Sequence, residues 1–469
     1  MLKKLAPGIL LAGLAFAQAQ NIEGIWQGSI EINGINLRLA FHISKNEQGA
    51  FVTKWDSLDQ GARDMPARAT TFADGKLRIE VNAVTKLEGT LNAAGTEIDG
   101  TFTQSETYPI HLKRVDKIEE QNRPQTPKPP FPYKSDDVMY QNKAAGITLG
   151  ATLTIPAGAG PFPAALMITG SGPQDRDETL LGHKPFWVIA DYLSRRGIAV
   201  LRVDDRGMGK STGSSPQMTL DEMADDVLTG ITYLKSRKEI DARRIGVIGH
   251  SEGGIVGPYA ASKSADISFV VMLGGTSLTG EQVLYEQGAA VMRSQGASEQ
   301  AIAANVKLQR TMFDVMRQMQ GEKDNRKVLA ALREAFSKLM SETAPNATEA
   351  QKTAAFNSIR SEFSRLLTPE MRSFLFFDPQ EALKKLKVPV LALNGSRDVQ
   401  VIPEQNLPPL LKALTEGGNS DFEIVELPGL NHLFQKCKTC SPGEYGDLEE
   451  TLSTDALAIV GDWLGRHTR

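Results

Sequence analysis

The chain has 469 residues, of which 41% are hydrophobic and 23% charged, with a net charge of −4. That is length for two or three domains with ample core, and the composition is that of an ordinary globular protein. Charge is spread along the chain, and no basic patch is dense enough to bind nucleic acid.

The first twenty residues differ from the rest. Lys3 and Lys4 precede an apolar run over 9–17, and Ala17-Gln18-Ala19 offers small residues for cleavage. The pattern predicts a bacterial-type secretory signal peptide over 1–19, with an apolar run too short for a membrane span. The mature chain is therefore expected to be secreted or periplasmic. Cys437 and Cys440 are the only cysteines. In an oxidising compartment so close a pair is expected to form a local disulfide, and no further ligands cluster there for zinc.

Residues 20–117 read as a small antiparallel β domain. The runs 30–32, 37–43 and 77–81 alternate apolar and polar, and Asn33-Gly34 and Asp74-Gly75 lie between strand-like runs as hairpin turns. Seven or eight short strands in a barrel or sandwich are expected. Gly24-Ile25-Trp26 resembles the opening of lipocalin-type barrels. His42 and His111 sit in strand patterns and read as structural. Residues 118–135 hold Pro124, Pro127, Pro129, Pro130 and Pro132 among polar neighbours, the composition of a stiff, extended linker.

From 136 to the C-terminus the pattern becomes α/β. Apolar runs over 147–155, 164–169, 198–203, 245–248, 269–273, 388–393 and 422–427 suit strands buried on both faces of a mostly parallel sheet. Amphipathic stretches such as 186–196 and 220–236 lie between them. Thr219 with Glu222 forms a capping-box signature for the second. The expected architecture is a doubly wound α/β domain. The alternation breaks once. From about 281 to 380 only helical periodicity is present, over 283–293, 301–319, 328–340 and 348–367, which predicts a helical cap above the strand ends. Met292, Met312, Met316, Met319 and Met340 are assigned mostly to cap packing, with some available to an adaptable acyl-binding surface.

The chemistry centres on Ile245-Gly246-Val247-Ile248-Gly249-His250-Ser251-Glu252-Gly253-Gly254. An apolar, β-branched run stops at a glycine, and a serine follows two residues later. This is G-x-S-x-G between a strand and a helix, where a sharp turn exposes the serine hydroxyl and flanking side chains would collide. A serine hydroxyl needs a base, and the base needs an orienting acid. Of six histidines, only His432 and His467 come late enough for the chain order Ser, acid, His. His467 lies at the tail, whereas His432 follows the last strand on a loop. Asp398 ends the strand-and-turn segment 388–398 and is the candidate acid. Its rival Asp378 precedes that strand and reads as the start of the helix at 380–386. Asp421 has no comparable position at a strand end.

A tetrahedral intermediate needs backbone N–H donors. One is expected from Glu252. The other is expected from the loop Gly170-Ser171-Gly172-Pro173-Gln174-Asp175-Arg176-Asp177, with Ser171 first and Gly172 as the alternative. The side chains of Asp175, Arg176 and Asp177 are read as bracing that loop. Asp204-Asp205-Arg206-Gly207-Met208-Gly209-Lys210-Ser211 lacks phosphate-loop spacing, and Arg206 is assigned a structural ion pair.

Taken together, the motifs at 170–177, 204–211, 249–254, 394–398 and 431–434 resemble those of α/β-hydrolase fold serine esterases. The likeness is strongest to secreted bacterial carboxylesterases with a small N-terminal β domain and a helical cap. It covers residues from about 137 onward. It implies a Ser251–His432–Asp398 triad, hydrolysis of short- to medium-chain carboxylic esters through an acyl-enzyme, a small-molecule ester as partner, and no cofactor or metal. Two other readings compete. A prolyl-oligopeptidase-like serine peptidase shares fold and triad, but about ninety-five residues before the linker are too few for a β-propeller. A catalytically inactive ligand-binding protein of hydrolase fold would not need the triad order.

Overall fold

The structure, a computed structural model, describes residues 21–32, 35–60, 62–104, 106–119, 121–215 and 218–469. The leader-like segment 1–19 and the Asn33-Gly34 turn lie outside the described residues. Two compact units are present, one of Met1–Ile30, Arg38–Ser57 and Ala62–Glu119, the other of Glu31–Leu37, Leu58–Gly61 and Glu120–Arg469.

The N-terminal unit is built on an antiparallel sheet of nine strands among the described residues, one or two more than the sequence pattern predicts. They are β1 (Gly24–Ile32), β2 (Ile35–Lys45), β3 (Phe51–Ser57), β4 (Ala62–Pro66), β5 (Ala69–Ala73), β6 (Lys76–Glu80), β7 (Lys86–Leu91), β8 (Glu97–Thr103) and β9 (Thr107–Val115). The sheet order is β4-β3-β2-β1-β9-β8-β7-β6-β5. The extra elements are the five-residue β4 and β5, whose sequences Ala-Arg-Asp-Met-Pro and Ala-Thr-Thr-Phe-Ala lack a long apolar alternation. Trp26, Phe41, Phe102, Ile79 and Ile98 fill its interior, with Trp26 donating its indole N–H to the Ile22 carbonyl at 2.8 Å. His42 pairs with Asp56 at 2.9 Å and His111 with Asp99 at 2.6 Å, so both are satisfied strand residues.

The larger unit is an α/β-hydrolase fold. Its strands are β10 (Lys134–Asn142), β11 (Ile147–Ile155), β12 (Phe162–Ile168), β13 (Ala199–Val203), β14 (Ile240–His250), β15 (Val270–Leu273), β16 (Val390–Gly395) and β17 (Phe422–Leu427). They run in the order β10-β11-β13-β12-β14-β15-β16-β17. Pairing is parallel from β13 to β17 and antiparallel at β10 and β11. β10 is the strand the sequence pattern missed. It is an edge strand with Met139 exposed and only Tyr140 and Asn142 buried, so it carries no apolar run.

Side-chain alternation assigns the two faces. Leu166, Ile168, Val247, Val270 and Met272 join one core with α2 (Leu220–Lys235) and α3 (Gly253–Lys263). Ala165, Met167, Ile248, Val271 and Leu273 join the other with α1 (Pro185–Arg195) and the C-terminal helix Thr454–His467. Each of the valine, leucine, isoleucine and methionine side chains among them contributes about 1.5–3 kcal/mol by burial. Thr219 and Glu222 close the expected capping box at the start of α2.

The proline-rich run is strapped to this unit rather than free. Arg123 donates to the carbonyls of Leu181, Gly446 and Leu448 at 2.7, 2.7 and 2.8 Å. The Gln125 side chain donates to the Leu452 carbonyl and accepts from the Leu452 N–H.

The insertion is helical as expected. α4 (Gly280–Ser294), α5 (Glu299–Gln318), α6 (Asn325–Thr343), α7 (Glu349–Ser358), α8 (Arg360–Leu366) and α9 (Pro369–Phe376) form it. The stretch 348–367 reads as one helix in the sequence, but it breaks at Ile359, which caps both α7 and α8. Met312 and Met316 lie in the cap core, and Met319 and Met340 pack against it.

Candidate active site

Ser251 sits on the turn between β14 and α3 with φ +53°, a left-handed angle that costs a non-glycine residue about 1–3 kcal/mol. The surroundings hold it there. Ser251 N–H donates to the Leu273 carbonyl on the neighbouring strand at 2.9 Å. A Cβ at Gly249 would lie 2.0 Å from the Gly253 carbonyl oxygen, and one at Gly253 would lie 2.2 Å from that of Ile168. Both glycines of the motif are therefore demanded by backbone crossing backbone.

His432 and Asp398 come together as the chain order predicts. His432 Nδ1 lies 2.7 Å from Asp398 Oδ2, and both residues are buried. The other carboxylate oxygen of Asp398 accepts the backbone N–H groups of Gln400 and Val401 at 2.8 and 2.9 Å, which fixes the acid on the turn after β16. The loop after β17 is held by Asn431, whose side-chain oxygen accepts the N–H groups of Leu433 and Gln435 at 3.0 and 2.9 Å. Gly274, at φ +59°, lets the His432 ring approach, because a Cβ there would stand 3.2 Å from His432 Nδ1. Ser251 and His432 line one cavity together with Ser171 and His250.

The rejected residues lie in other places. Asp378 accepts the N–H of Gln380 at 3.0 Å and starts its short helix. His467 bonds the Trp463 carbonyl at 2.8 Å and Asp421 at 3.2 Å at the end of the C-terminal helix. Arg206 pairs with Asp226 at 2.6 Å. The bracing assigned to 175–177 is also present: Asp175 accepts the N–H groups of Asp177 and Thr179, Arg176 pairs with Asp204, and Asp177 with Arg202.

The backbone N–H groups of Ser171 and Glu252 have no hydrogen-bond acceptor among the described residues. Glu252 stands at the N-terminus of α3, where the helix dipole favours negative charge. The alternative donor, Gly172 N–H, lies close enough to the Glu370 carboxylate of the cap to oppose the rise in its pKa.

Under the cap, a cavity of about 80 Å³ opens on Ser251 and Ser171. It is lined by apolar Leu284, Met371 and Phe374, and by Arg365, Glu370 and the Glu252 carboxyl. Met371 is the methionine that lines it, and none of the five singled out from the sequence does so. Burial pushes the Glu252 carboxyl up to about 8, with the Glu370 charge adding to the effect and Arg365 opposing it. Near neutral pH that carboxyl is therefore protonated and sets no negative charge beside the nucleophile. Burial also raises Glu370, against the pull of Arg365 and Gly172.

Sequence reasoning missed these cap charges, which carry no local motif. It also missed Glu178, one residue beyond the loop it delimited. Among the described residues no cluster of metal-ligating side chains is present, and no helix is long and apolar enough to cross a membrane.

Residues 145–418 match the family described as X-Pro dipeptidyl-peptidase (S15 family). The chain belongs to the S15 family. It is 30% identical over 285 residues to esterase EstD of Thermotoga maritima, a match covering 61% of this chain and 58% of EstD. The chain thus matches less than two thirds of that relative's length. The Pyrococcus furiosus esterase PF2001 superposes with a TM-score of 0.43 at 17% identity, covering 75% of this chain and all (100%) of that one. The α/β hydrolase GrgF from a Penicillium species gives 0.43 at 17%, covering 71% and 99%.

Proposed function

We propose that the S15-family chain is a carboxylesterase that hydrolyses short- to medium-chain carboxylic esters through an acyl-enzyme on Ser251. The observation that carries this reading is the 2.7 Å bond between His432 Nδ1 and Asp398 in a cavity shared with a serine on a strained turn. With Nδ1 committed to Asp398, Nε2 is the nitrogen left to serve the serine. Ser251 Oγ attacks the ester carbonyl carbon as His432 Nε2 takes its proton. The tetrahedral oxyanion lies against the N–H groups of Ser171 and Glu252. Collapse breaks the bond to the alcohol, which leaves with the proton from His432. Water, deprotonated by His432, then attacks the acyl-enzyme, and collapse releases the acid and restores Ser251.

The S15 match gives a peptidase reading its specific support, since that family is described by its dipeptidyl-peptidase activity. Matched p-nitrophenyl esters and p-nitroanilides of the same acyl groups separate the two. The expected result is efficient cleavage of esters from acetyl to about octanoyl length and anilide rates lower by about 10³-fold or more, scored as kcat/KM. Anilide or X-Pro-anilide cleavage as fast as ester cleavage would overturn the esterase reading.

We also propose export. The Cys437–Cys440 disulfide, with Cα atoms 5.0 Å apart, is consistent with an oxidising compartment.

A further inference from the structure

Three segments that meet at the nucleophile are tied by one carboxylate and one imidazole. Glu178 Oε1 accepts the Gly170 N–H at 2.7 Å and lies 2.9 Å from His250 Nδ1. The other ring nitrogen, His250 Nε2, lies 3.1 Å from the backbone carbonyl oxygen of His432. Gly170 precedes Ser171 in the oxyanion loop, and His250 precedes Ser251. Packing leaves no slack: a Cβ at Gly170 would stand 3.3 Å from both Glu178 Oε1 and Ser251 Cβ, and 3.6 Å from His250 Nδ1. Glu178 itself holds a φ of +53°, a strain the surrounding bonds must offset.

Proton counting decides the state of the ring. A backbone carbonyl only accepts, so Nε2 must donate to His432. As a carboxylate Glu178 can only accept, so beside it the bond to Nδ1 requires a second proton donated by the ring. A neutral imidazole has one N–H and cannot serve both.

We infer that His250 is a positioning residue held as an imidazolium that donates at both ring nitrogens, so that Glu178 and His250 together clamp the oxyanion loop to the loop bearing His432. The inference rests on the roles proposed above for Ser251, Ser171 and His432. Neither Glu178 nor His250 touches the reacting atoms in this scheme. They hold Ser171 N–H, Ser251 and His432 in register, and a displacement of about 1 Å in such a register costs on the order of 10²-fold in rate.

The electrostatics agree. Burial lowers the His250 pKa, but the Glu178 charge and hydrogen bond, the His432 carbonyl and the Asp398 charge outweigh it, so the net direction is upward. The His432 ring stands 4.8 Å away, centroid to centroid. His183 and Tyr445 line the same cavity. Burial, with the Arg123 charge, holds His183 down to about 4, and burial pushes the Tyr445 phenol up, so neither adds a charge near neutral pH. With the His250 pKa raised, the imidazolium and its bonds are complete at lower pH and are lost as pH rises through that value.

The test is the pH dependence of kcat and KM on p-nitrophenyl butyrate for the wild type, Glu178→Gln and His250→Gln, with Ser251→Ala as control and circular dichroism as the check on folding. A glutamine at 178 can accept from Gly170 but carries no negative charge to favour the imidazolium, and one at 250 cannot titrate. The expected result is a kcat lower by about 10²-fold in each variant with KM changed by less than about threefold. The wild type should lose kcat on the alkaline side, Glu178→Gln should lose it at lower pH, and His250→Gln should show no such limb. A purely structural role would lower kcat without moving the limb. An alkaline limb that survives His250→Gln unchanged, or a folded Glu178→Gln with wild-type kcat and limb, overturns the inference. Should Glu178→Gln fail to fold, the comparison of wild type with His250→Gln decides. An active Ser251→Ala would instead sink the proposed triad, so the two failures are distinguishable.

Discussion

Ser251→Ala should leave a folded protein whose kcat on a p-nitrophenyl ester is lower by at least about 10⁴-fold. The serine lies on a turn whose glycines are fixed by backbone approaches of 2.0 and 2.2 Å, so the small side chain of alanine fits the same space. Removing the hydroxyl also relieves nothing: alanine at φ +53° carries the same backbone strain, so stability should stay within about 1 kcal/mol. Loss of turnover without loss of the far-ultraviolet dichroism signal separates chemistry from unfolding. Near-wild-type turnover in the folded variant would contradict the assignment.

The second large effect is at the acid and the base. Asp398→Asn keeps the size of the side chain but removes the acceptor that His432 Nδ1 meets at 2.7 Å. The amide can present its N–H to the ring, which turns His432 to the tautomer that has no free lone pair for the serine. A fall in kcat of about 10⁴-fold is expected, with a smaller change in KM. His432→Ala should fall as far, and the double variant should be little worse than either single one, because the three groups act as a unit. The contrary outcome is a fully active Asp398→Asn alongside a dead Asp378→Asn. That is not expected, since Asp378 is committed to the N–H of Gln380.

Much of the fold and of the candidate site was legible from buried strands. A parallel strand buried on both faces shows as an unbroken apolar run, so the ends of β14 and β16 could be found, and with them Ser251 and Asp398, whereas β17 is an edge strand with only Leu427 buried, and His432 followed from the chain order Ser, acid, His. What the sequence withheld was of three kinds. β4, β5 and β10 are short, polar or at an edge, and give no periodicity. The break at Ile359 within the cap has neither proline nor glycine to announce it. The groups that surround the nucleophile, Glu178, Glu370 and Arg365, reach it from separate loops and cap helices. Their roles depend on tertiary approach, to which no spacing rule applies. Glu252 shows the limit most clearly: its N–H was assigned from the motif, whereas the protonated state of its carboxyl follows from burial beneath the cap.

The most direct measurement of the central claim is to react the wild-type protein with a fluorophosphonate ester and locate the adduct by peptide mass spectrometry. The account predicts a single adduct, on the peptide that carries Ser251, absent from Ser251→Ala and formed far more slowly in His432→Ala. An adduct on another residue, or undiminished labelling of Ser251→Ala, would contradict it.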